Sequence, residues 1–141
     1  MTAKEYLLRL RKLKRQAENK RKQCENIRDH LLFLQGIDYT KDKIQTSAKD
    51  PMSDAMSKLL DLEAETEEAI IKYNDAYDEG VNRINGLSKH EYVEILSKRY
   101  LEDDYQKRRF ESIACDINYS YDRTIHMHGE ALQEFERKYL R

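Results

Sequence analysis

The sequence predicts an all-α protein: a long N-terminal antiparallel helical hairpin of coiled-coil type over 1–86, then a group of shorter helices over 87–141. Three observations carry this. Only four glycines and one proline, the residues that break helices, occur in 141 positions. Charged side chains make up 38% and hydrophobic ones 39%, which suits helices with narrow apolar seams better than one thick core. The apolar residues also recur at steps of three and four, the spacing of one helix face.

The first helix is expected over about 3–35. Thr2 to Glu5 has the spacing of a capping box. Tyr6, Leu10, Leu13, Ala17, Lys20, Cys24, Ile27, Leu31 and Leu34 then form a heptad seam with Lys20 its one polar member. A polar seam residue costs stability and can fix register or partner number. Gly36 ends the pattern, and residues 36–50 have no sustained period and many turn formers, so a loop is expected. Asp50-Pro51 starts a second helix, with Asp as N-cap and Pro as first helical residue. Its inner face is marked by Met52, Met56, Leu59, Leu62, Thr66, Ala69/Ile70, Tyr73, Tyr77, Val81 and Ile84, and Asn85-Gly86 stops it.

Charge favours pairing these two helices with each other. Residues 1–35 carry net +6, residues 36–86 net −6 and residues 87–141 net −1, for an overall −1. Each helix of such a pair buries only one seam. Self-association through leftover apolar surface is therefore expected, with Leu7, Leu8, Leu32 and Leu60 as candidates. The competing reading leaves these as scattered surface leucines.

Ser88 to Glu91 offers a second capping box, opening a helix with Tyr92, Val93, Leu96 and Tyr100 close together on it. The stretch EDDYQ breaks the pattern. The segment KRRFESIACDI reads as a short helix with Phe110, Ile113, Ala114 and Ile117 inward. Asn118-Tyr119 is a turn, and Ser120 caps a last helix ending near Tyr139.

The last two helices satisfy the needs of a helix-turn-helix. A small residue is required where the second helix crosses the first, and Ala114 provides it. The turn needs a residue that tolerates positive φ, and Asn118 does so better than most non-glycine residues. Ile113, Ile117 and Tyr119 supply apolar contacts around the turn. Thr124, Met127, Ala131, Leu132 and Phe135 face inward from the second helix.

The stretch RRFESIACDINYSYDRTIHMHGEALQEFE resembles the promoter-reading fourth region of sigma-70-type factors (sigma-70 region 4-like). Matching positions run from Ile117, Asn118, Tyr119 and Ser120 through Tyr121-Asp122-Arg123 and Thr124 to Ile125-His126-Met127, Ala131-Leu132 and Phe135. The usual Trp-Glu-Glu-Ile-Ala is Phe110-Glu-Ser-Ile-Ala114 here, and the usual turn glycine is Asn118. Nearly the whole chain, including TAKEYLLRLRKL, DKIQTS and SDAMSKLLDLE, resembles a family of small phage regulators from Gram-positive bacteria. That family includes the RinA/ArpU-type late-transcription activators.

The resemblance implies a DNA-binding transcription regulator of a bacteriophage or prophage, acting on double-stranded DNA in the host cell cytoplasm as a homodimer or higher homo-oligomer. RNA polymerase is a further candidate partner. Tyr121, Asp122, Arg123, Ile125 and His126 would then face outward from the recognition helix that Ser120 caps. Arg123 can grip guanine or a phosphate, and Asp122 can accept from cytosine or orient Arg123. Ile125 suits a thymine methyl group, and His126 can donate to a base or phosphate. Lys107, Arg108 and Arg109 precede the short helix, where phosphate contacts raise affinity. The competing reading leaves each charged residue as a solvated surface group.

Other classes fare worse. His126 and His128 lie two apart, so on a helix they point about 200° apart and cannot share a metal. No zinc-ligand spacing, phosphate-binding loop or hydrolase motif occurs, so neither a cofactor nor an enzyme is expected. Asp103-Asp104 and the Glu63/Glu65/Glu67/Glu68 cluster read as solvated faces. Cys24 and Cys115 lack motif spacing and read as reduced thiols. No apolar run reaches the ~18 residues of a membrane span, and no signal peptide is expected. Two alternatives share the helix-turn-helix: a small terminase-like DNA-packaging protein, and a sigma-like protein that docks on RNA polymerase without DNA readout.

Overall fold

The structure, a computed structural model, describes residues 1–36, 50–102 and 109–141. Every element among them is helical. These are α1 (Ala3–Gln35), α2 (Pro51–Asn85), α3 (His90–Leu96), α4 (Phe110–Ile117) and α5 (Tyr121–Phe135). α3 widens into a π-helical turn, Ser97–Leu101, and α5 into another, Glu136–Leu140. Most of the loop expected over 36–50, and all of EDDYQ beyond Glu102, lie outside the described residues. Among the described residues no helix is long and apolar enough to cross a membrane.

The chain forms two compact units. One comprises Lys14–Lys72, and the other Met1–Leu13 with Tyr73–Arg141.

Within Lys14–Lys72, α1 and α2 pair antiparallel. Lys20 Nζ meets Glu65 at 3.2 Å and Arg28 Nη2 meets Glu63 at 2.7 Å, so later residues of α1 face earlier ones of α2. These contacts join the basic helix to the acidic one. Both pairs are solvent-exposed, so they steer the pairing more than they stabilise it. Burial stabilises it. Cys24, Leu31, Leu34, Ala55 and Leu59 form one apolar cluster. Thr66 donates its hydroxyl to the Leu62 carbonyl at 2.6 Å, which leaves its oxygen to accept the Cys24 thiol at 3.3 Å. Asp50 caps α2 as expected, accepting the Met52 N–H at 3.1 Å. The inner face of α2 follows the expected one except near its start: Ala55 is buried, while Met56 is 48% exposed. Leu32 and Leu60 stand exposed as expected, joined by Phe33 and Ile71.

The other unit is built on Leu7, Ile84, Ile95, Leu96, Ile113 and Phe135, all fully buried. The capping box at its start forms: Glu5 accepts the Thr2 N–H at 2.9 Å, and Thr2 accepts the Glu5 N–H at 3.2 Å. The Ala3 N–H donates to Glu136 at 3.2 Å, fastening the first turn of α1 to the end of α5. Tyr6 packs on Phe135 with ring centroids 5.3 Å apart and donates its hydroxyl to Glu79 at 3.1 Å. Gly80 admits Leu10, since a Cβ there would come within 2.7 Å of a Leu10 methyl.

Two expectations are corrected in this unit. Leu7, expected on leftover surface, is fully buried, because the first turns of α1 pack against the C-terminal helices as well as α2. The capping box expected at Ser88 does not form. Glu134 takes both the Ser88 N–H and hydroxyl at 3.0 Å, and Lys89 occupies the N-cap position of α3 without a side-chain cap.

Candidate nucleic-acid interface

The turn between α4 and α5 has the geometry that its residues favour. Asn118 takes φ 61° and ψ 39°, the left-handed region, and no other described non-glycine residue has positive φ. The Tyr119 N–H then reaches back to the Ala114 carbonyl at 3.1 Å, closing the end of α4 in a Schellman-type bond. Ser120 caps α5, its hydroxyl accepting the Arg123 N–H at 3.1 Å, while Thr124 donates its hydroxyl to the Ser120 carbonyl at 2.8 Å. Tyr119 is 41% exposed and donates to Glu91 of α3 at 3.3 Å, tying the turn to that helix.

From this start α5 presents two faces. Thr124, Met127, Ala131 and Phe135 are buried, and Leu132 is half-buried. Tyr121, Asp122, Arg123, Ile125 and His126 are all exposed, with Ser120 at their head. Arg109 is exposed at the N-cap position of α4. Lys107 and Arg108 lie outside the described residues. The structure thus gathers six of the nine expected residues on the first turns of α5, with Arg109 at the start of α4.

The two histidines part company. His128 is half-buried, its Nε2 2.9 Å from the Tyr100 hydroxyl and its ring edge-on to Phe110 at 4.8 Å. His126 points to solvent, with Nε2 3.5 Å from Glu130 Oε1.

Glu130 is the residue that the sequence reading missed. Its other oxygen, Oε2, accepts the Tyr92 hydroxyl at 2.6 Å. That bond holds the Glu130 carboxyl below the usual carboxylate range, with His126, Arg123 and Lys89 adding in the same direction. The same bond, with burial and the Glu130 charge adding to it, pushes the Tyr92 hydroxyl up to about 12. Lys89 lies over the Tyr92 ring at 5.3 Å. The four-residue step from His126 to Glu130 was visible as an i, i+4 pair. Its anchor on α3 had no sequence signal.

Chemically the surface offers one guanidinium, one imidazole, a phenol, two carboxylates and an aliphatic side chain on consecutive turns of one helix. This is a mixed donor, acceptor and apolar set with little net charge. No known protein family, curated protein or solved structure matches the chain.

Proposed function

We propose that the protein is a DNA-binding transcription regulator of phage or prophage origin, akin to the RinA/ArpU-type activators of late genes. In this reading α5 enters the major groove of promoter DNA with its first two turns. The observation that carries the reading is the turn itself. Left-handed Asn118 and the Ser120 cap set α5 against α4 so that Tyr121, Asp122, Arg123, Ile125 and His126 stay exposed while Thr124, Met127, Ala131 and Phe135 are buried with Ile113 and Ala114 of α4. Arg123 reads guanine or holds a phosphate, Ile125 meets a thymine methyl, and Arg109, with Lys107 and Arg108, neutralises phosphates.

A head with so little net charge binds weakly alone. Self-association through the helical pair would place two heads on one duplex and raise their effective concentration. The exposed Leu32, Phe33, Leu60 and Ile71 of the Lys14–Lys72 unit are candidates for that contact. Footprinting on late-gene promoter DNA, with gel shifts of wild type and Arg123→Ala across a salt series, tests the reading. Arg123→Ala should weaken binding about tenfold or more and flatten the salt dependence, in line with the worth of one specific or phosphate contact. Equal binding by the variant at every salt concentration would remove α5 as the reading helix.

A second reading has one observation in its favour. Asp122 and Glu130 flank Arg123 and His126, and acidic groups repel phosphate but suit a basic protein surface. Docking on RNA polymerase without DNA readout fits that pattern. It predicts co-purification with polymerase and no footprint.

A further inference from the structure

We propose that Glu130 is a positioning residue for base selection: suspended from Tyr92 of α3, it holds the His126 ring in one orientation on the outer face of α5. This rests on the reading of α5 as a recognition helix. The geometry has three links. Tyr92 is buried and belongs to a different helix from the one it steadies, so its hydroxyl is a fixed point. Glu130 Oε2 accepts from that hydroxyl at 2.6 Å, which fixes the carboxylate plane and leaves Oε1 directed at His126 Nε2, 3.5 Å away. Nδ1 and Nε2 point in diverging directions from an imidazole ring, so a ring whose Nε2 faces Glu130 leaves its second nitrogen for another partner.

A free histidine on an exposed helix face samples several rotamers, and a ring that must be ordered on binding contributes less to selectivity. A carboxylate facing Nε2 keeps a proton on that nitrogen. Nδ1 is then the nitrogen left for a base edge: as an acceptor it suits the exocyclic amino group of adenine or cytosine, and as a donor it suits O6 or N7 of guanine. The carboxylate also carries a cost. It places negative charge near the phosphates and lowers sequence-independent affinity. Selectivity and raw affinity should therefore respond to Glu130 in opposite directions. A merely repulsive or merely structural carboxylate would not do this.

The test uses the full chain as wild type, Glu130→Ala, Glu130→Gln and Tyr92→Phe. Side-chain three-bond couplings by NMR, without DNA, report the rotamer of His126. One dominant rotamer is expected in wild type and Glu130→Gln, and averaging in Glu130→Ala and Tyr92→Phe. Binding-site selection on randomised duplexes then reports base preference, and a gel shift on unrelated DNA reports sequence-independent affinity. Glu130→Ala should lose about fivefold preference at a single base position, the worth of one hydrogen bond, while binding unrelated DNA more tightly. Glu130→Gln keeps a partner for Tyr92 and an acceptor for the ring, so it should retain the preference. An unchanged His126 rotamer in Glu130→Ala overturns the proposal, whether or not DNA binds. Unchanged base preference in a variant that still binds overturns it too. No selection of DNA by wild type at all removes the DNA-reading function instead, and the rotamer measurement still decides the positioning role.

Discussion

Asn118 sets the direction in which α5 leaves α4, and it does so at a conformation that most side chains avoid. Asparagine tolerates the left-handed region because its short amide can bond locally, whereas a Cβ-bearing residue without that option is strained there by about 1–2 kcal/mol. Asn118→Ala should therefore destabilise the protein by about 1 kcal/mol, and Asn118→Gly should match or exceed wild-type stability. Urea unfolding curves compare the three. Equal stability of the alanine variant would mean that the turn does not need φ 61°. Asn118 was legible from the sequence because the requirement is local: one residue, one torsion, one short list of residue types. The outward set from Ser120 to His126 was legible for a similar reason, since helix phase alone decides which side chains a cap leaves outside. Lys89, Tyr92 and Glu130 were not, because their relation spans two helices that no periodicity links.

The seam of α1 shows how far periodicity reaches. Tyr6, Leu10, Leu13, Ala17, Cys24, Leu31 and Leu34 are buried at the heptad positions, with Ile27 and Lys20 half-buried. On α2 the same reasoning misplaced Met56, because Ala55 and Met56 are both apolar and only the close approach of α1 favours the smaller one. Lys20 interrupts the seam and is tied to Glu65 only through a pair exposed to water. Lys20→Leu should raise stability by about 1 kcal/mol, measured by thermal unfolding, and it also releases whatever register or partner number the lysine imposes, which sedimentation reads. Between α3 and α5, the Tyr92–Glu130 bond gives a pH signature. The Glu130 carboxyl is lowered on folding, so its contribution is present above the ordinary carboxylate pKa and is lost as pH falls through the lowered one. The Tyr92 hydroxyl is raised to about 12, so its contribution is complete below the ordinary tyrosine pKa near 10 and fades as pH climbs through about 12. Tyr92→Phe should flatten both limbs of the stability–pH profile. Superimposable limbs would mean that the bond does not persist in solution.

At the scale of the whole molecule, the all-α class and the order of helices followed from composition and spacing, but the packing of the first turns of α1 against the C-terminal helices did not. Leu7 looked like surface because α1 and α2 alone leave it uncovered. The groups that cover it include residues more than a hundred positions later, and sequence pattern carries no such distance. The helix-turn-helix thus shares its core with Ala3, Tyr6, Leu7 and Leu10. A fragment of residues 87–141 should consequently be far less stable than the same residues in the full chain. Leu7→Ala, a truncation of a fully buried leucine, should cost about 2–5 kcal/mol. Circular dichroism melts of the fragment and the variant give both numbers, and a fragment with full native stability would show that the α1 contacts are dispensable.

The bond from Ala3 to Glu136 spans 133 positions. In the order of synthesis, the first turns of α1 emerge long before the helices that bury them. Tyr6 and Leu7 travel uncovered, with their last partners added only at the far end of the chain. Contacts between such distant residues are slow to form, because the loop between them must close first. The core that holds α4 and α5 is therefore completed late in synthesis, whereas the Lys14–Lys72 pair can close as soon as its own residues have emerged.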